Sequence, residues 1–246
     1  MVHYLEKDAD VTTREPLILT VPGLNNSGRN HWQSRWERKY ANVQRVDLGM
    51  WDNPHRNTWV NKISLAIHRS DRPVILIGHS LGCMAIAWWA EYERPSFGNP
   101  VVGALLVAPP DVDRPGRDPR LARFCACPRQ ELPFPSYLVA SRDDPYCALS
   151  TARSLAIDWG AKFVDAGEAG HINADSRLGD WPLGEDLLGR LLLNAGGRLA
   201  RNATGRAAPH TLAKASREPA SPGHPAAART GSSRPIPARK SGYALP

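Results

Sequence analysis

The sequence lacks the segments that would place the protein in a membrane or direct it out of the cell. None of its apolar runs approaches the roughly 18 residues that a membrane-spanning helix requires. Its beginning, MVHYLEKDADVTTREP, is polar and carries both signs of charge. It therefore has neither the apolar core of a secretory signal nor the arginine-rich, acid-poor composition of a transit peptide. These features predict a cytoplasmic protein without a membrane span.

Cysteine is also scarce, and its spacing matches neither a disulfide framework nor a metal site. The four cysteines are Cys83, Cys125, Cys127 and Cys147. Cys125 and Cys127 are too close for an ordinary disulfide, and no second pair at zinc-ligand spacing accompanies them. We therefore expect free thiols, as in a reducing compartment, with no structural metal and no cofactor.

The net charge of +7 does not describe the main part of the chain. Residues 197–246 contain nine Lys or Arg and one acidic residue, whereas residues 1–196 contain 22 basic and 23 acidic residues. The basic segment is rich in Ala, Pro, Ser, Gly and Arg and contains neither Trp nor Phe, so it cannot bury enough apolar surface to fold. We predict an extension over 1–14, a folded domain over 15–196 and a disordered tail over 197–246. We expect no specific nucleic-acid partner, and no feature of the sequence indicates an oligomeric state.

Short apolar runs alternate with helical patterns in the first 196 residues. Such runs, without a polar face, are typical of parallel strands that are covered on both sides. The pattern predicts an α/β fold of three α/β/α layers, with a mostly parallel central sheet and little or no lid. The predicted strands are 17–23, 43–48, 74–78, 101–109, 136–141 and 162–166, and the predicted helices are 30–40, 57–69, 81–93, 149–158 and 183–194.

The stretch PVILIGHSLGC, residues 73–83, contains a candidate nucleophile. Its G-x-S-x-G pattern follows a predicted strand and precedes a predicted helix, as in the nucleophile elbow, where the serine occupies a strained turn between two glycines. The five-residue pattern alone would also occur in a purely structural turn, because Gly and Ser are common in turns. The position between a strand and a helix favours Ser80 as the nucleophile.

A serine hydroxyl needs a base, and the base needs an acid that orients it. His171 follows the last predicted strand in a glycine-flanked loop, whereas His79 is adjacent to Ser80 and should point away from it. The acid should follow the strand at 136–141, where Asp143 and Asp144 are neighbours. Their spacing from Ser141 favours Asp144, and the order Ser, Asp, His is that of α/β-hydrolases.

Charge that develops on a substrate carbonyl needs hydrogen-bond donors. We expect them to be the backbone N–H groups of Leu81, directly after Ser80, and of Leu24, after the turn at Gly23. The loop at Gly23 has neither G-x-G-x-x-G nor GK[ST], so a phosphate site is disfavoured. Trp51 and Trp181 are candidates for the wall of an acyl pocket, although burial in the core explains them equally well.

Several segments together resemble the RBBP9/YdeN family of small serine hydrolases with the α/β-hydrolase fold. The resemblance spans residues 15–193, and its segments are PGLNNSGRNHWQSRWE, GHSLGC, GALLVAPPD, LPFPSYLVASRDDPYC and GHINADSRLGDWPLGEDLL. It implies a compact hydrolase with a Ser80–His171–Asp144 triad. Pro22 departs from the family pattern, because many relatives have histidine there in an oxyanion loop, and this leaves the second donor open.

The predicted function is that of a serine hydrolase that cleaves a small ester or amide through an acyl-enzyme. The resemblance also implies an alternative, a protein-interaction module on a hydrolase fold, because mammalian relatives were named for binding a retinoblastoma protein. Dehalogenation is disfavoured, since it would call for an aspartate in place of Ser80.

Overall fold

A computed structural model of the chain describes residues 15–202, apart from residues 115 and 117. Six strands form one open sheet in the order β2-β1-β3-β4-β5-β6, and all neighbours are parallel. This confirms the predicted parallel α/β fold. The strands are β1 (Leu17–Val21), β2 (Val43–Arg45), β3 (Val74–His79), β4 (Val101–Val107), β5 (Ser136–Ala140) and β6 (Lys162–Asp165).

Helices cover both faces of the sheet. Buried side chains of α2, α3 and α5 belong to one hydrophobic cluster, and those of α1 and α6 belong to the other. The helices are α1 (Trp32–Lys39), α2 (Arg56–His68), α3 (Leu81–Glu93), α4 (Pro119–Ala122), α5 (Leu149–Asp158) and α6 (Pro182–Asn194). Only the four-residue α4 interrupts the connection between β4 and β5, so this connection contains no lid domain among its described residues.

Strand β3 shows why the apolar runs are continuous. Its side chains alternate between the two faces, with Val74 and Leu76 in one cluster and Ile75 and Ile77 in the other. All four are fully buried. A central strand of this kind must be apolar on both faces, and its carboxyl end carries Ser80 to the edge of the sheet where ligands bind in α/β proteins.

Five of the six strands end one to three residues earlier than predicted, and β2 and β4 show the reason most clearly. The predicted strand 101–109 ends at Val107, because Ala108 has a left-handed φ of 51° and the prolines at 109 and 110 have no N–H to donate. The predicted strand 43–48 ends at Arg45, and the last main-chain hydrogen bond to β1 is donated by Val46 to the Thr20 carbonyl at 2.9 Å. The short helix α4 was not predicted.

The folded region continues beyond the predicted boundary at residue 196. Ala200 accepts a hydrogen bond from the Ala41 N–H at 2.8 Å, and Arg201 forms an antiparallel bridge with Tyr40. These are main-chain contacts, which composition does not predict. The rest of the predicted tail and the extension 1–14 lie outside the described residues. Across the part of the chain that is described, no helix is long and apolar enough to cross a membrane.

Candidate active site

Ser80 lies in a strained turn between β3 and α3. Its φ of 52° and ψ of −125° fall in a region that residues other than glycine rarely adopt. The two flanking glycines make this turn possible. A Cβ on Gly82 would overlap the Val21 carbonyl oxygen, and one on Gly78 would lie 2.9 Å from Cδ1 of Ile86. The turn has the geometry expected of a nucleophile elbow.

A hydrogen-bonded chain connects Ser80, His171 and Asp144. Oγ of Ser80 lies 2.9 Å from Nε2 of His171, and Nδ1 of His171 lies 3.0 and 2.9 Å from the two carboxylate oxygens of Asp144. The side chains of His171 and Asp144 are only 10% and 2% exposed. The structure thus brings together the three residues that the sequence singled out.

Asp143 holds the loop of His171 rather than its imidazole. Its Oδ1 accepts hydrogen bonds from Ser141 Oγ and, at 2.8 Å, from the Gly170 N–H. These bonds, the one from Ser141 first, lower the pKa of Asp143. Ser141 Oγ in turn accepts from the Ala169 N–H at 2.8 Å. The two neighbouring aspartates therefore have separate roles, one at the imidazole and one at the backbone that carries it.

Two further histidines lie behind His171. His79 donates from Nε2 to the main-chain carbonyl of His171 at 3.0 Å, and the ring centroids of His79 and His31 are 4.6 Å apart. Burial lowers the pKa of His79 well below its usual value. Burial and then the charge of Arg45 lower the pKa of His31 to about 3. Both rings are therefore neutral, so neither brings a second positive charge beside His171.

The loop after β1 lies directly against the nucleophile. A Cβ on Gly23 would lie 2.8 Å from Cβ of Ser80 and 3.1 Å from the nitrogen of Leu81, so the close approach requires glycine. Among the described residues, neither the Leu24 N–H nor the Leu81 N–H donates a hydrogen bond. Both N–H groups are thus available to donate, as an oxyanion hole would require of them.

The two candidate pocket tryptophans differ in position. Trp181 is 4% exposed and packs against Trp32 and Trp36, so it occupies a core position and not an open wall. Trp51 is half-buried, and its carbonyl accepts from the Asn25 N–H at 2.7 Å, beside the loop of Leu24.

The ring of Tyr146 is a neighbour of the imidazole that the sequence did not indicate. Its centroid lies 4.5 Å from that of His171. The Tyr146 N–H donates to Oδ1 of Asp144 at 2.9 Å, so the same residue contacts both partners of the imidazole–carboxylate pair. Its side chain remains accessible, since Tyr146 is 43% exposed.

No cysteine side chain takes part in the hydrogen-bonded chain of Ser80, His171 and Asp144. The four cysteines, all within the described residues, form no disulfide, and burial raises the pKa of Cys83 and Cys127. No group of three or more His, Cys, Asp or Glu side chains within the described residues could hold a metal ion. Two surface clefts, of about 290 and 370 Å³, are lined by other residues than Ser80, His171 and Asp144.

Comparison with known proteins agrees with this geometry. Residues 18–190 match the family model described as "Serine hydrolase". The chain belongs to the serine hydrolase family. No curated protein matches this serine hydrolase significantly.

Solved structures resemble this serine hydrolase over most of their length. A YdeN-like hydrolase from Pectobacterium atrosepticum is 34% identical, with a TM-score of 0.63 over 74% of this chain and 91% of that one. The ydeN gene product from B. subtilis is 22% identical, with a TM-score of 0.58 over 72% and 99%. Est1E from Butyrivibrio proteoclasticus is 14% identical, with a TM-score of 0.53 over 73% and 89%, and shows likeness of fold.

The sequence indicated the reacting groups more readily than the residues that support them. His79 was expected to point away from Ser80, and its bond to the His171 carbonyl joins residues 92 positions apart. His31 gave no signal in the sequence, and the structure places it at the N-cap of α1, where its Nδ1 accepts from the Gln33 N–H. Tyr146 follows Asp144 by two residues, and this proximity was the only available signal.

Proposed function

We propose that this serine hydrolase cleaves a small carboxylic ester or amide through an acyl-enzyme on Ser80. The observation that carries the proposal is the 2.9 Å approach of Ser80 Oγ to His171 Nε2, with Asp144 on the opposite nitrogen. A nucleophile, a base and an orienting acid in contact are the elements of acyl transfer.

Acylation begins when Ser80 Oγ attacks the acyl carbon and His171 Nε2 accepts the hydroxyl proton. The carbonyl oxygen becomes an oxyanion, which accepts hydrogen bonds from the N–H groups of Leu81 and Leu24. When the tetrahedral intermediate collapses, the bond to the leaving group breaks, and His171 delivers its proton to the departing alcohol or amine. Asp144 fixes the imidazole orientation and stabilises the imidazolium.

Deacylation repeats these steps with water as the nucleophile. Water attacks the acyl carbon while His171 accepts its proton, and Ser80 Oγ leaves with that proton as the free acid is released. The neutral state of His79 and His31 favours this cycle, because a positive charge on either ring would oppose formation of the imidazolium.

The surroundings of Ser80 favour a small substrate with an apolar acyl group. Leu24 and Trp51 are half-buried and pack against the hydrophobic cluster beneath the loop, so they offer apolar surface beside the expected oxyanion site. Met50, 49% exposed, lies next to Trp51. We propose that the acyl chain contacts Leu24 and Trp51, whereas the leaving group faces solvent near Tyr146.

The proposal is tested by the fate of the acyl group. p-Nitrophenyl esters of graded acyl length, and the matching anilides, are incubated with the protein in the presence of methanol. Because an acyl-enzyme can react with either nucleophile, methyl ester and free acid should form in a constant ratio for different leaving groups. The Ser80→Ala variant should form neither product above background. A product ratio that depends on the leaving group would contradict an acyl-enzyme intermediate, and full turnover by Ser80→Ala would contradict Ser80 as its site. Absence of turnover for every ester and anilide would instead favour a role in protein interaction.

A further inference from the structure

Arg45 is the last residue of β2, and its side chain reaches the loop that approaches Ser80. Its Nη1 donates to Oδ1 of Asn26 and to the main-chain carbonyl of Ser27, both at 3.0 Å. Its other donors bind Glu37, at 2.8 and 3.0 Å, and Oγ of Ser34. Since a guanidinium has five N–H donors, these five bonds occupy its full capacity.

The loop that Arg45 contacts contains a turn of demanding geometry. The Asn26 N–H donates to the Gly23 carbonyl at 3.1 Å, and Asn25 and Asn26 have φ values of 61° and 65°. Left-handed backbone costs free energy in residues other than glycine. Asn26 Oδ1 accepts from both Arg45 and the Ser27 N–H, so its side chain is fixed at the end of the turn.

Leu24 lies inside this turn, between two fixed points. Gly23 lies against Ser80 on one side, and Asn26 is bound by Arg45 on the other. The direction of the Leu24 N–H therefore depends on both contacts. The Arg45–Glu37 pair is well shielded, with side chains 24% and 18% exposed, and Glu37 is held in turn by Thr20 Oγ at 2.6 Å.

We propose that Arg45 is a positioning residue for the oxyanion hole. Anchored by Glu37, its guanidinium holds Asn26 and the Ser27 carbonyl, and thereby holds the Leu24 N–H in line with the developing oxyanion. Arg45 acts through the loop and does not touch the substrate. This inference rests on the acyl-transfer function proposed above.

Such a role predicts a particular kinetic signature. The oxyanion exists in the transition state and not in the bound substrate, so misplacing its donor lowers kcat and leaves KM nearly unchanged. Complete loss of one such donor costs about 10²- to 10³-fold in kcat. Displacement of Leu24 in Arg45→Met should cost less, about tenfold or more, with KM within about threefold of wild type.

A second variant separates positioning from stability. Asn26→Gly removes one of the two acceptors that Arg45 binds on the loop, the side-chain oxygen, and introduces a residue that adopts left-handed backbone readily. It also leaves the Arg45–Glu37 pair intact. It should show the same selective loss of kcat even if Arg45→Met proves too unstable to assay.

Lys39→Met provides the matched control. Lys39 is 23% exposed and pairs with Asp180 and Glu185 at 3.1 and 2.6 Å. Asp180 lies just before α6 and Glu185 lies in α6, so neither partner belongs to the loop that Arg45 binds. Its loss should lower the melting temperature and leave kcat unchanged.

The experiment measures kcat, KM, melting temperature and the Ki of an aryl trifluoromethyl ketone, whose adduct carries an oxyanion. For Arg45→Met and Asn26→Gly, we expect Ki to rise by about the factor by which kcat falls. The inference is overturned if both variants keep wild-type kcat, if they raise KM instead, or if Lys39→Met loses kcat to the same extent. Failure of the wild-type protein to form an adduct on Ser80 would instead overturn the acyl-transfer function itself.

Discussion

Nε2 of His171 lies 2.9 Å from Oγ of Ser80, although the two residues are 91 positions apart in the chain. Ser80 reaches this contact at the end of the central strand β3, and His171 reaches it in the loop after the edge strand β6. All six strands are parallel, so their carboxyl ends lie at one edge of the sheet, and the loops that follow β3 and β6 meet there across β4 and β5. The contact joins a side chain that can attack an acyl carbon to one that can accept its proton.

The first prediction is that Ser80 and His171 depend on each other in catalysis. Ser80→Ala, His171→Ala and the double variant should each lose kcat by a similar factor, on the order of 10³ or more, because neither group works without the other. Initial rates with a p-nitrophenyl ester measure the loss, and circular dichroism checks the fold. Losses that multiply in the double variant would show that the two side chains act independently.

The neighbouring aspartates provide a matched pair. Asp144→Asn should lower kcat on the order of 10³-fold or more, because an amide neither stabilises the imidazolium nor ensures the correct tautomer. Asp143→Asn should cost less than about tenfold, since its remaining carbonyl still accepts from Ser141 and Gly170. Steady-state kinetics of both variants rank the losses. The reverse ranking would assign the orienting role to Asp143.

The glycines of the chain differ in what a methyl group would meet. Gly82→Ala would drive Cβ into the main-chain carbonyls of Val21 and Pro22, so we expect a loss of about 3 kcal/mol or more in the free energy of unfolding. Gly189→Ala in α6 meets nothing within 4 Å and should add up to about 1 kcal/mol through helix propensity. Urea unfolding measures both changes. A neutral Gly82→Ala would mean that the turn at Ser80 is less tight than described.

Stability should fall as the pH drops below about 6.5, the usual pKa of histidine. The pKa of His31 is about 3 in the folded protein, and that of His79 is also lowered. In this window the unfolded chain binds protons that the folded protein does not, so acid favours unfolding by up to about 1.4 kcal/mol per pH unit for each histidine. Asp143, with its lowered pKa, contributes stability that is lost only below about pH 4.

Urea unfolding between pH 7 and pH 5 tests this dependence, and His31→Gln isolates one of the two residues. The variant should lose about half of the pH dependence in that range. An unchanged slope in His31→Gln would show that His31 binds a proton in the folded protein.

The fold was predictable because its signals are local. Continuous apolar runs such as β3, separated by helical patterns, indicate a parallel sheet without knowledge of any contact. The ends of elements were harder, as the early end of β4 at Ala108 shows, because a left-handed residue there does not follow from its side chain. Residues 198–202 were assigned to the tail because the segment 197–246 is rich in Ala, Pro, Ser, Gly and Arg and lacks Trp and Phe, whereas they bind the folded domain through main-chain groups.

The reacting groups of the candidate site were predictable from the sequence, but the residues that hold them in place were not. Ser80 lies in a pattern that demands glycines, and His171 and Asp144 follow strands whose order places them at one edge. His79, Arg45 and Tyr146 carry no pattern, because their contacts join distant segments and depend on side-chain direction. The distances to the imidazole likewise distinguish Asp144, which binds it, from the neighbouring Asp143.

The most direct test of the account is the site of covalent reaction with a fluorophosphonate. Ser80 Oγ should form a bond to phosphorus as fluoride leaves and His171 takes up the proton. Peptide mass spectrometry of the labelled protein should locate one adduct, on Ser80, and labelling should vanish in Ser80→Ala and slow strongly in His171→Ala. An adduct on another residue, or full labelling of Ser80→Ala, would contradict the assignment of Ser80 as the nucleophile.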